Sequence, residues 1–185
     1  MYGNLTYKDE FREELINGET VAMSPAWTNH NRAAFRIAVL FENYLRGKTC
    51  EPFGDGEAVY LTEKDVFIPD FMVVCDPDKV KHDGVHGAPD LVVEVLSPGT
   101  TKNDRGHKMT VYEQCGVREY WIVIPGEKTV EQYLLTEGRL VLHAVYFLPP
   151  DFASDTERAA AVTEFQCSLF DDLVIRLEDI FDRIK

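Results

Sequence analysis

The chain has 185 residues, 45% of them hydrophobic and 28% charged, with 19 Lys and Arg against 32 Asp and Glu for a formal net charge of −13. These are globular proportions, one domain's worth over residues 1–185, at roughly 100–200 residues per domain; they exclude disordered, collagen-like and coiled-coil chains. The acidic balance argues against a general nucleic-acid coat, which needs a basic face, but not against an enzyme whose bound metal cation reverses the local sign.

In chain order, Arg12–Ile16 and Glu19–Met23 flank Asn17-Gly18, the strongest short hairpin signal. Thr6-x-x-Asp9 ahead of them resembles a capping box. Ser24-Pro25 should open a long helix running to about Arg46 and ending at Gly47, with Ala34, Ile37, Ala38, Phe41, Tyr44 and Leu45 as its apolar stripe. Ala58–Leu61 and Val66–Cys75 read as a second hairpin, and 76–88 as a polar loop. Pro89–Ser97 is a strand, Lys102–Cys115 a helix capped by Thr101 and stopped by Gly116. Arg118–Ile124, Thr129–Leu135 and Arg139–Phe147 form a meander turning at Pro125-Gly126 and Glu137-Gly138; a short strand near 161–166 and a helix over 177–184 follow. The fold class is α/β (α+β): a central mixed sheet flanked by helices, with an N-terminal β-hairpin.

No apolar run nears the ~18 residues of a membrane span, so no membrane partner is expected. MYGNLTYKDEFREELING lacks the basic flank and apolar core of a signal peptide. Cys50, Cys75, Cys115 and Cys167 lie far apart with no CxxC, which predicts unpaired, buried thiols in a reducing cytoplasm. His82 and His86 have helical ligand spacing, but two glycines place them in a loop, against a metal role.

Single failures of an otherwise regular binary pattern point to functional sites. In PDLVVEVLS, alternation puts Asp90, Val92, Glu94 and Leu96 on one face and Leu91, Val93 and Val95 on the other; both are mostly apolar, so the strand is central and Glu94 is interior. A buried carboxylate is costly unless it is paired with a cation or bound to a metal. In VFIPDFMVVC, Asp70 interrupts an apolar run after Pro69, which marks a strand end or bulge. In TKNDRGHKMTVYEQCG, at about 100° per residue, Lys108 falls inside the apolar stripe of Val111, Tyr112 and Cys115, with Asp104 and Arg105 on its two sides and Lys102 on the opposite face. Gly106 suggests a close approach to that helix. Two acids and an inward lysine suit Mg²⁺ or Mn²⁺ and hydrolysis of a phosphodiester.

IPDFMVVCDPDKV and GAPDLVVEVLSPGTTKNDRGHKMTVYEQCGVREYWIVIP, with MSPAWTNHNR before them and LVIRLEDIF after, resemble the large bacterial family of restriction-endonuclease-like proteins in the PD-(D/E)XK nuclease superfamily. The resemblance runs from about Glu13 to Ile184. It implies a restriction-endonuclease-like core, Mg²⁺-dependent endonuclease activity on DNA, and assembly as a homo-oligomer. Pro69-Asp70 matches the PD element and Glu94, 24 residues on, the second acidic ligand, with the Val95 carbonyl as a further ligand. The usual lysine two residues later is replaced by Leu96, and Lys108 takes its place from the following helix. The resemblance further implies that His30 orients a carboxylate or contacts phosphate. Asp90 is a candidate outer acid or second-metal ligand, Asp104 and Arg105 flank the lysine, and Tyr112 reads as core. Lys102, Arg105, His107 and Lys108 on one helix and Arg32 and Arg36 on another are candidate phosphate contacts. Against catalysis stand Leu96 and the net charge, which leave as alternatives a non-catalytic binding module and an oligomerisation role for the 118–147 meander.

Overall fold

A computed structural model describes residues 12–23, 25–97, 101–150 and 152–184, without the side chain of Lys102. Strands β1 (Glu13–Ile16) and β2 (Glu19–Ala22) form the expected hairpin, with positive φ at Asn17 and Gly18. The capping-box reading at Thr6 and the cap at Ser24 lie outside the described residues. Helix α1 spans Thr28–Leu45. It starts three residues after Pro25, where side chains first pack on the body: His30, Ala33, Ala34, Ile37, Phe41 and Leu45 are buried. Tertiary burial rather than the Ser-Pro signal sets its first turn.

Strands β3 (Glu51–Gly54), β4 (Val59–Thr62), β5 (Asp65–Phe67), β6 (Phe71–Val74), β7 (Val80–Lys81), β8 (Gly84–His86) and β9 (Leu91–Val95) follow. The segment expected as one strand over 66–75 is two: β5 pairs β4, and β6 pairs β3 and β9 in a different sheet. Pro69 has no N–H for a ladder, so the chain breaks there and changes sheets. The supposed loop over 76–88 carries β7 and β8, and β8 runs parallel to β4. At Gly84 a Cβ would meet the Ala58 carbonyl oxygen at 2.5 Å, so only glycine fits that close approach.

Past β9, the expected single helix is α2 (Thr101–Asn103), a five-residue π segment (Asp104–Lys108) broken at Gly106, and α3 (Met109–Cys115). Thr101 is the first helical residue, not the cap, and its hydroxyl donates to the Ser97 carbonyl at 2.8 Å. Nothing approaches Gly106 within 4 Å of where a Cβ would stand; the glycine serves the break, not a close contact. Strands β10 (Glu119–Ile124), β11 (Thr129–Thr136) and β12 (Arg139–Phe147) make the meander. After them come α4 (Asp155–Ala160), β13 (Glu164–Gln166), β14 (Val174–Arg176) and α5 (Leu177–Phe181).

The central sheet has the order β12-β11-β10-β9-β6-β3, with β9 and β10 parallel and the other pairs antiparallel. The parallel pair requires the crossover supplied by α2 and α3. The second sheet has the order β2-β1-β5-β4-β8-β7. One core lies between the central sheet and α1 and α5, where Phe41 packs on Phe71 and Trp121. The other lies between the two sheets and α3, from Phe67, Val92, Tyr112, Tyr120 and Ile122. Leu91, Val93 and Val95 enter the first core and Val92 the second, as their alternation requires.

Two of the four cysteines are not free thiols: Cys50 and Cys75 form a disulfide across β3 and β6, while Cys115 and Cys167 stay unpaired. The β3–β6 register, Glu51 opposite Val74, brings the two sulfurs face to face, which no spacing rule reveals. Among the described residues, no helix is long and apolar enough to cross a membrane.

Candidate functional site

The strand change between β5 and β6 puts Asp70 at the end of β9. Beyond Phe71 the ladder stops and the Asp70 side chain replaces it: the Val95 N–H donates to Oδ2 at 2.6 Å. On a strand, one residue's N–H and C=O face the same edge, so the Val95 carbonyl is turned toward Asp70. The other oxygen, Oδ1, lies 3.1 Å from His30 Nε2 on the first turn of α1. Burial alone would lower the His30 pKa, but the hydrogen bond and charge of Asp70 outweigh it and hold the ring above the ordinary histidine value.

Glu94 projects from β9 toward the second sheet and is 3% exposed. Its Oε1 accepts from the Tyr112 hydroxyl at 2.9 Å and from Lys108 Nζ at 3.2 Å. Lys108, 4% exposed, closes the π segment with its ammonium 2.7 Å from Glu14 and 3.6 Å from Asp104. Burial pushes the Glu94 carboxyl well up; Lys108 opposes, but Asp104, Asp70 and Glu14 add repulsion. Burial works against the Lys108 ammonium, yet Glu94, Glu14 and Asp104 together raise its pKa. The site is thus four buried carboxylates (Glu14, Asp70, Glu94 and Asp104) around one ammonium and one imidazole.

Two groups therefore form: Asp70 with His30, and Glu94 with Lys108 and Asp104; they adjoin through the Val95 N–H, next in chain to Glu94, which Asp70 accepts. Glu14 was missed. It sits in the four-residue strand EELI behind a second glutamate, so it opens a short apolar run rather than interrupting one. It fastens the strand change by accepting from the Ile68 N–H at 2.8 Å. Two candidates are engaged elsewhere. Asp90 accepts from the Cys75 N–H at 2.8 Å and pairs with Arg118 at 3.3 Å, holding the starts of β9 and β10 rather than standing beside Glu94. Arg105 forks onto both oxygens of Glu131 at 2.7 and 2.9 Å, because the π segment turns it toward β11 instead of alongside Lys108. Arg36 pairs with Asp182, Arg32 donates to the Arg183 carbonyl and His107 bonds Asp65. His86 bonds Asp83 and stacks on Tyr60. Tyr112 is core, as expected, but also holds Glu94. Among the described residues, no three His, Cys, Asp or Glu side chains form a ligand group for a metal.

The comparisons bear on the family and the fold. The chain is 36% identical over 123 residues to the uncharacterised protein slr1290 of Synechocystis, a match covering 65% of each chain. It therefore spans just under two thirds of that relative's length. A second Synechocystis protein, sll1609, is 27% identical over 126 residues, 66% of this chain and 71% of its own. Among solved structures, a "putative nuclease belonging to DUF820" from Anabaena variabilis superposes with a TM-score of 0.65 over 91% of this chain and 89% of its own, at 16% identity, which shows a shared fold. That fold, a mixed α+β core of restriction-endonuclease-like type, is the one described above. The model of the Uma2 family, described as "Putative restriction endonuclease", matches residues 2–166, and the chain belongs to that family.

Proposed function

We propose that the chain is an endonuclease that hydrolyses DNA phosphodiester bonds with Mg²⁺ or Mn²⁺. One observation carries this reading: buried Asp70 accepts from the Val95 N–H, next in chain to buried Glu94, and Glu94 pairs with buried Lys108. The donor set fits a divalent cation, since buried carboxylates outnumber buried cations there and hard oxygen donors favour Mg²⁺ or Mn²⁺ over zinc. Asp70, Glu94 and the Val95 carbonyl would hold the ion, with water completing the shell, as Mg²⁺ usually retains several waters. Bound there, it supplies Lewis acidity and a more acidic water. The protein's own groups do the rest. The Val95 N–H and His30 fix the two oxygens of Asp70. Tyr112 and Lys108 fix Glu94. Lys108, held protonated, acts as a donor that positions the attacking water and meets negative charge on the phosphate, not as a base.

The test is cleavage of plasmid DNA with and without Mg²⁺, beside calorimetric titration of Mn²⁺. Wild type is expected to nick DNA only with the ion. Glu94→Gln and Asp70→Asn should lose about 100-fold or more in rate and lose the heat of Mn²⁺ binding. Negligible heat in wild type and variants alike, with no cleavage, overturns the proposal. It would favour the second reading, a non-catalytic module, which one observation supports: the Lys108 ammonium, 3.2 Å from Glu94, gives that carboxylate a cation of the protein's own. Under either reading we propose a homo-oligomer formed through β12, whose outer face exposes Val141, Val145 and Phe147.

A further inference from the structure

A cavity of about 490 Å³ lies against the start of α1. Trp27 and His30 from the start of α1, Leu96 beyond β9, Arg105 of the π segment, and Ile124 and Glu127 beyond β10 wall it. His30 joins it to the site, since the ring that lines the cavity is the one bonded to Asp70. Its size is that of a small-ligand pocket, about 300–1,000 Å³, far below what a duplex would fill. Trp27 is 68% exposed while the chain's other tryptophan, Trp121, is 0% exposed, and among the described residues no ring packs on Trp27. An indole left in water on the rim of a cavity next to carboxylates is a platform without its partner.

The charges select the partner. Duplex binding draws most of its strength from cations on phosphates, and here the Arg105 fork is already taken by Glu131, while Glu127 adds negative charge to the wall. An unpaired base needs no such cations, because its π face stacks on an aromatic side chain whatever its sequence. We propose that this cavity takes an unpaired nucleobase stacked on Trp27, which presents the adjoining phosphate of a single-stranded or flipped-out nucleotide to the His30–Asp70 pair. The inference rests on the nuclease reading and narrows its substrate to unpaired strands.

The test is tryptophan fluorescence of the full chain in EDTA, titrated with oligothymidylate, with an abasic strand of equal length, and with a duplex. Because Trp121 is buried, quenching reports Trp27. Oligothymidylate should quench saturably and bind about tenfold tighter than the abasic strand, with Trp27→Ala losing about the same factor by anisotropy of a labelled strand and Trp27→Phe recovering most of it. Equal affinity for base-bearing and abasic strands, tighter binding of the duplex, or no quenching overturns the proposal. The two readings fail separately. Mg²⁺-dependent cleavage without quenching sinks the base pocket and spares the nuclease; quenching without cleavage sinks the nuclease.

Discussion

Lys108 shows how much one side chain can settle. Its ammonium is the counter-charge for Glu14, Glu94 and Asp104, all buried. Removing one member of such a group leaves uncompensated charge in low dielectric, so Lys108→Met should cost about 3–5 kcal/mol in urea unfolding at neutral pH. The deficit should shrink in acid, because Glu94, with its raised pKa, is neutralised early as pH falls. An unchanged midpoint would show that the carboxylates are not charged together. His30 gives a second check. Its folded pKa is raised by Asp70, so its contribution to stability is complete below the ordinary value of about 6.5 and lost as pH rises through the folded value. Imidazole NMR titration should find that pKa above the ordinary value and find it falling in Asp70→Asn. Asp70, Glu94 and Lys108 were legible in the sequence because each breaks an apolar pattern. Glu14 breaks none, and Asp90 and Arg105 satisfy the same pattern while bonding other partners.

At the scale of elements, the disulfide ties β3, an edge strand containing Pro52, to β6, which begins one residue after Asp70. It closes a separation of 25 residues, and loops of that order are worth about 3 kcal/mol. Reduction, or Cys75→Ser, should lower stability by about that amount, read as a fall in the urea midpoint that oxidised wild type does not show; no difference between reduced and oxidised protein would remove the bridge from the energetics. The hairpin at Asn17-Gly18 and the turn at Glu137-Gly138 were legible because both residues of each turn need positive φ. β3 was not: proline and glycine fill half of its four residues, and only its partner makes it a strand. The π segment escaped for a related reason, since one extra residue per turn leaves the apolar spacing almost helical.

For the whole molecule, the question is what the open edge of the central sheet does. β12 is nine residues long and ends the sheet, with Val141, Val145 and Phe147 exposed along it. Edges of that length are normally guarded by charge, proline or cover, and this one is guarded only at its start, where Arg139 stands and Glu113 takes the Leu140 N–H. Pairing with a second copy would cover it, against the repulsion of a net charge of −13. Association should therefore rise with protein concentration and with salt in sedimentation velocity, and Val145→Lys should abolish it. A wild-type chain that stays monomeric under all these conditions would leave the edge unpartnered.

The sequence by itself determined the features that live within a few residues: the two faces of β9, the hairpin turns, the inward aim of Lys108 and the family motif around Asp70 and Glu94. Side-chain period and turn chemistry are local, so they survive without knowledge of the fold. Only the tertiary structure decided who meets whom. It split one apolar run between two sheets, joined Cys50 to Cys75, sent Arg105 to Glu131, and brought Glu14 to the Ile68 N–H, 54 residues away. Such pairings depend on strand register and on the relative placement of sheets and helices, which are fixed by burial over the whole core and leave no periodic trace in the chain.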